Sequence, residues 1–188
     1  MVDPRHVDLP LLDKPHFSYA PSQVPPPLQE LHDIFQTADA YVCITPEYNH
    51  APSPALLNLL NHFGSSVFSF KPSAIVSYSA GQWGGTRAAQ GLRPILSELG
   101  CLPVSAMVHV PHAGRVLDEH GAILQSGGIA RDDDDKDADE EDRWRSYVSR
   151  CMGQLEWWGA AAKEHRKRVD PYAVSPAFQR DPSQRNAP

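Results

Sequence analysis

A strand, loop and helix unit that occurs twice is what most limits the folds open to this chain. Residues 40–45, AYVCIT, form a continuous β-prone run of the kind a parallel sheet buries on both faces. The run ends at Pro46, and regular pattern resumes with Ser53 as an expected N-cap and Pro54 at the first helical position. Leu56, Leu59, Leu60 and Phe63 then make one apolar stripe, which Gly64 closes. The unit repeats with SAIVSYS at 73–79, followed by a helical pattern of Ala88, Ala89, Leu92, Ile95, Leu96 and Leu99, with Gly100 just beyond its end. Pro94 lies inside that helix, where its missing donor should bend the axis. PVSAMVHV at 103–110 supplies a third strand. Strands alternating with helices through short connections imply an α/β fold with an open, doubly wound parallel sheet and right-handed crossovers.

The flanks carry less information. Residues 1–26 are proline-rich and lack a sustained period, and the next stretch places Leu28, Leu31, Ile34 and Phe35 at helical spacing. The acidic run at about 130–142, centred on DDDDK, should be a solvated loop insertion, because like charges repel. A closing helix shows Trp144, Tyr147, Val148, Cys151, Met152, Leu155 and Trp158 on one face, ending in KEHRKR, whose cations suit a helix C-terminus. Trp157 and Trp158 are expected to make one core contact and one interface contact. Residues 1–168 thus form one domain, and 169–188 a flexible tail.

Composition excludes several functions. A formal charge of −6 argues against a nucleic-acid partner, which calls for a clustered basic face. No apolar run is long enough to span a bilayer and the first residues lack a signal peptide's pattern, so a cytoplasmic protein with no membrane partner is expected. Cys43, Cys101 and Cys151 have no CxxC spacing and read as buried thiols. His109 and His112 flank a proline without a third ligand, so a structural role is favoured over a metal site. The acidic run lacks the EF-hand's glycine and closing glutamate. Ser79 and Cys43 have no evident His and Asp partners for hydrolase chemistry.

In open parallel sheets, ligands bind where the loops leave the carboxyl ends of the strands. Two such loops are unusual. TPEYNHAPS offers the stiff Pro46, the titratable Glu47, the aromatic Tyr48 and the amide of Asn49. SAGQWGG, residues 79–85, has three glycines that allow close backbone approach, and it runs into a helix N-terminus whose open amides favour an electron-rich group. Together they suit a flat heteroaromatic ligand.

These two loops, with PSAIVSYSAGQWGGTRAAQGLRPILSELG and more weakly the LEWW of the last helix, resemble the NADPH-dependent FMN reductases of flavodoxin-like fold, which include quinone, chromate and azo-dye reductases. The resemblance runs from about residue 8 to residue 158. It implies that Pro46, Glu47, Tyr48 and Asn49 on one side, and Ser79, Gly81, Gln82, Trp83, Gly84 and Gly85 on the other, hold an FMN ring. It also implies NADPH as electron donor, a quinone or similar small molecule as acceptor, a homodimer, and no catalytic side chain, since the cofactor carries the redox chemistry.

Family members begin with a strand and a phosphate-binding loop of the type GSxRxxS, and nothing here matches that motif. The resemblance therefore implies a fold lacking the first strand and phosphate loop, which would expose the edge of the 40–45 strand. A second expectation follows: a non-catalytic remnant that associates with a full-length paralogue or another protein. Residues 57–63, LNLLNHF, also depart from the family's LKNAIDW, a change expected at a subunit interface.

Overall fold

The computed structural model describes residues 1–7, 9–124, 139–174 and 176. Strand β1 is Tyr41–Tyr48, β2 Ala51–Pro52, β3 Pro72–Tyr78, β4 Leu102–Pro103 and β5 Val108–Val110. The helices are α1 Pro26–Thr37, α2 Pro54–Asn61, α3 Ser65–Phe68, α4 Thr86–Glu98, α5 Ala113–Val116 and α6 Glu140–Arg166. β1 and β3 are parallel from Tyr41↔Ser73 to Pro46↔Tyr78, and β3 pairs in parallel with both β4 and β5. Helices α1 to α4 bury Leu28, Leu31, Phe35, Leu59, Phe63, Phe68, Leu92 and Leu96 on one face of the sheet. Trp144, Cys151 and Leu155 of α6 pack with Val104, Val108 and Val110 on the other. The expected doubly wound α/β architecture is present.

Most of the patterned helices form as their sequence dictates. Ser53 Oγ accepts from the Leu56 amide at 3.3 Å and Pro54 opens α2, while Leu56, Leu59 and Leu60 face the core. The clip between this helix and the N-terminal segment explains one departure noted above. Asn58 accepts from the Leu12 amide through Oδ1 and donates to the Pro10 carbonyl through Nδ2, both at 2.9 Å. An amide can do both, and neither a lysine nor an aspartate can.

Several expectations are corrected. Pro46 does not end the first strand: β1 continues to Tyr48, turns at Asn49 (φ 50°) and His50 (φ 65°), and returns as β2, so PEYNHAP is a two-residue hairpin with both turn residues left-handed. Gly64 precedes a further short helix, α3, instead of closing α2 at a loop. The third strand splits into β4 and β5 because the chain between them leans toward α6, where Ala106 donates to Gln154 Oε1 at 3.0 Å and its carbonyl accepts from Cys151 Sγ. Ile34 is exposed although its neighbours Leu31 and Phe35 are buried.

The 40–45 strand is not buried on both faces. Cys43 and Thr45 are buried, whereas Val42 and Ile44 stand 45% and 56% exposed, which leaves one face of β1 open. Their register partners Ala74 and Val76 lie on the face covered by α6, and α6 lies over β3 and β5. Among the described residues, β1 has no strand along its outer edge before the β2 hairpin.

The ends of α6 also differ from the sequence pattern. Glu140, Glu141 and Asp142, which the sequence pattern places in the acidic insertion, form its first turn after Asp139 at the N-cap position, where carboxylates suit the helix dipole; the run's residues before 139 lie outside the described ones. Trp157 and Trp158 are 63% and 43% exposed and meet edge to face at 4.6 Å, so neither is a core contact. The start of the expected tail is docked: Tyr172 packs edge-on against Phe70, and Asp170 caps the short 3-10 turn Pro171–Ala173. Arg166 ties α6 down by donating to the Phe70 carbonyl at 2.7 Å and to Asp39 at 2.9 Å.

Candidate functional site

The two loops singled out in the sequence meet at the carboxyl edge of β1 and β3. Their joint is Glu47. Its carboxylate accepts from the backbone amides of Arg87 and Ala88 at 3.0 and 3.2 Å and pairs with the Arg87 guanidinium at 3.3 Å. Burial raises the Glu47 pKa, but the two amides and the guanidinium outweigh it and hold the carboxyl below its ordinary value. Glu47 is thus the N-terminal cap of α4, supplied from another strand. The open helix N-terminus expected to receive a ligand is, at Arg87 and Ala88, already occupied.

The glycine loop is tied down from below. Ser79 donates its hydroxyl to the Gly81 carbonyl at 3.0 Å, its amide to Val110, and its carbonyl accepts from Ala113. His112 donates its amide to the Gly81 carbonyl at 3.0 Å, and its Nδ1 lies 3.1 Å from the Ala80 carbonyl. Ser77, fully buried, lies 2.8 Å from the Gly84 carbonyl and 2.7 Å from His109 Nδ1. Burial holds the His109 ring below the ordinary histidine pKa. Both histidines thus hydrogen-bond to the strand and loop beneath the site, and among the described residues no group of His, Cys, Asp and Glu is placed to hold a metal.

Gly84 and Gly85 adopt left-handed φ of 60° and 80°. A Cβ on Gly85 would lie 2.9 Å from Ser77 Cβ and the Tyr78 amide nitrogen, and one on Gly84 would meet Pro111 and His109 at 3.0 to 3.1 Å. Glycines at these positions permit the close approach of a ligand. The loop's packing requires them as well, since it is pressed against β3 and the end of β5.

The exposed surface of the site is made of Tyr48, Asn49, Gly81, Gln82 and Trp83. Among the described residues, the amides of Gly81, Gln82 and Trp83 have no acceptor within the chain. Three residues join them that the loop motifs did not include. Tyr78, the last residue of β3, lies near Tyr48 and Arg5: burial raises its phenol, Tyr48 adds to that and Arg5 opposes it. Arg87 holds its guanidinium 5.8 Å from the centre of the Trp83 ring while pairing with Glu47. Alternation along β3 could have flagged Tyr78, since a large aromatic at the mouth of a buried strand points out of the sheet; nothing local in the sequence marks Arg5.

A sequence model of the family described as NADPH-dependent FMN reductase matches residues 1–115. The chain belongs to that family. An NAD(P)H-dependent FMN reductase of Pseudomonas aeruginosa is 33% identical over 138 residues, covering 71% of this chain and 66% of the relative. An NADPH azoreductase of a Bacillus species is 31% identical over 56% of this chain and 54% of its own length. A quinone reductase of Pseudomonas putida is 34% identical over 47% and 48%. The chain therefore spans between about half and two thirds of the length of these relatives. In fold it is similar to FerB, a flavoenzyme NAD(P)H:(acceptor) oxidoreductase from Paracoccus denitrificans, with a TM-score of 0.55 at 19% identity over 81% of this chain and 77% of that one.

The residues present fit one end of an FMN. The Gly81, Gln82 and Trp83 amides, without an acceptor among the described residues, and the exposed rings of Tyr48, Tyr78 and Trp83 have the chemistry that the acceptor edge and flat face of a flavin ring call for. For a phosphate, the helix N-termini at this edge offer little among the described residues, because Glu47 fills that of α4 and Ser53 caps α2.

Proposed function

We propose that the chain is an NAD(P)H-dependent oxidoreductase that holds FMN through its ring and passes reducing equivalents to quinones or similar small acceptors. Supporting this is one arrangement at the carboxyl edge of a parallel sheet: a glycine loop whose Gly81 and Gly84 carbonyls are hydrogen-bonded and whose Gly81, Gln82 and Trp83 amides have no acceptor among the described residues, with Tyr78 near Tyr48 at the end of the same strands. FMN supplies the hydride and electron chemistry when bound. The chain's own residues bind and orient: loop amides donate to the ring's electron-rich edge, the aromatic side chains cover its face, and Glu47 locks the two loops together. Tyr48, Asn49, Gly81, Gln82 and Trp83 are the proposed contacts, with Pro46, Glu47, Ser79, Gly84 and Gly85 as the frame behind them. Purified protein should quench FMN fluorescence on titration and oxidise NADPH when a quinone is added. Absence of both FMN uptake and NADPH oxidation sinks the proposal.

A second reading is favoured by the open side of β1. The outer edge of residues 41–46 and the exposed Val42 and Ile44 offer backbone groups and apolar side chains to another polypeptide, as a full-length relative or a second copy could supply. Sedimentation of the chain alone and with a complete family member decides it: a monomer in both, active by itself, refutes association.

A further inference from the structure

We infer that His109 is a positioning residue for the glycine loop, acting through Ser77 on the peptide between Gly84 and Gly85; the inference rests on the flavin reading above for its functional consequence. Ser77 has one hydroxyl hydrogen and two short contacts, 2.8 Å to the Gly84 carbonyl and 2.7 Å to His109 Nδ1. Only one arrangement serves both. Ser77 donates to the carbonyl, which can only accept, and so must itself accept from a protonated Nδ1. The reverse would leave the buried Gly84 carbonyl with no donor among the described residues. The neutral His109 ring is therefore the Nδ1–H tautomer, with Nε2 left as an acceptor.

Such a tether is needed because of the two glycines. With Gly84 and Gly85 both left-handed, the peptide between them has no Cβ on either side to stop it from flipping. A trans peptide points its carbonyl and its amide in opposite directions, so pinning the Gly84 carbonyl toward Ser77 aims the Gly85 amide the other way. His109 is itself held: its backbone amide donates to Tyr147 Oη on α6 at 3.0 Å. The order in one loop is thus set by a chain of hydrogen bonds that starts on α6 and crosses β5 and β3. HVPH, which as a pair of histidines suggested a metal site to be discarded, is the platform of the glycine loop, since His112 also bonds the Ala80 and Gly81 carbonyls at the loop's other end.

Two measurements on the full chain test this. NMR of nitrogen-labelled protein, above the titration of histidine, should give His109 the shifts of the Nδ1–H tautomer, and Ser77→Ala should move it toward the commoner Nε2–H form. Titration with FMN should weaken about tenfold, the worth of one hydrogen bond, in Ser77→Ala and in His109→Leu. The double variant should be no weaker than the poorer single one, since both cut the same chain. His109→Asn, which keeps an N–H donor near the Nδ1 position, should stay within about threefold of the unaltered protein. An Nε2–H tautomer in the unaltered protein overturns the inference, and so does a folded His109→Leu protein of undiminished FMN affinity. Failure of the unaltered protein to bind FMN overturns the flavin reading instead, and the tautomer then decides the tether alone.

Discussion

Replacing Glu47 by glutamine separates the two roles that sequence and structure give it. If Glu47 is the cap of α4, the cost falls on the empty protein. Its carboxylate makes two hydrogen bonds to amides at 3.0 and 3.2 Å and one ion pair at 3.3 Å. Glutamine keeps one acceptor oxygen but loses the charge that the helix N-terminus and Arg87 both favour, which is worth about 1 kcal/mol. Alanine loses the acceptor as well and leaves the amide of Ala88, a fully buried residue, without its partner, for about 2 to 3 kcal/mol in all. For a chain of this size, about 1 kcal/mol moves the melting temperature by roughly 2 to 4 °C. Glutamine should therefore lower it by about 3 °C and alanine by about 6 °C or more, with no flavin present.

The pH dependence supplies the decisive control. A carboxyl held below its ordinary value contributes stability that is fully present above the ordinary carboxyl range near 4.5 and is lost as pH falls through the lowered value. The gap between the unaltered protein and Glu47→Gln should be constant from neutral pH to about that point and close below it. Denaturant unfolding followed by circular dichroism over this range reads it. A Glu47→Gln protein that melts like the unaltered one without flavin, yet binds FMN much more weakly, would refute the capping argument and restore Glu47 to the ligand.

Other outcomes follow from the same geometry. Gly85→Ala, which forces a Cβ to 2.9 Å from Ser77 at φ 80°, should destabilise the protein by about 2 kcal/mol or more in a thermal melt and abolish FMN quenching. The three cysteines are buried, with burial pushing Cys43 and Cys101 up to about 12, so no thiol should react with a disulfide reagent at pH 8 until the protein is unfolded. Because those values are raised, the stability they contribute is complete below the ordinary thiol value of 9.0 and is lost as pH rises toward about 12; a Cys43→Ala, Cys101→Ala protein should lose less over that window. Asn58→Leu removes the bonds to Pro10 and Leu12 and should let a protease cut the N-terminal segment at least severalfold faster, with little change in melting.

What could be read from the sequence depended on how locally each feature is encoded. Helix caps and stripes are local: Ser53, Pro54, Leu56, Leu59, Leu60, Ala88 and Leu92 behave as their spacing dictates, and with two strands between them they fix the layer order. The hairpin is hidden by Pro46, which on its own looks like a strand breaker. A proline is tolerated in an edge strand, and β1 is one along this side. The exposure of Val42 and Ile44 depends on which helix crosses which strand, and β-branched residues give no sign of that. In the site, composition locates both loops but does not give the contacts inside the chain that their groups make. Glu47 caps α4, and Gly84 and Gly85 pack against β3 and the end of β5, contacts set by distant parts of the chain, while the amides of Gly81, Gln82 and Trp83 have no acceptor among the described residues. Backbone packing alone constrains Gly84 and Gly85: both are left-handed, and a Cβ on either would meet backbone atoms at 3.1 Å or less, a limit that comes from β3 and β5 and not from the loop's own residues.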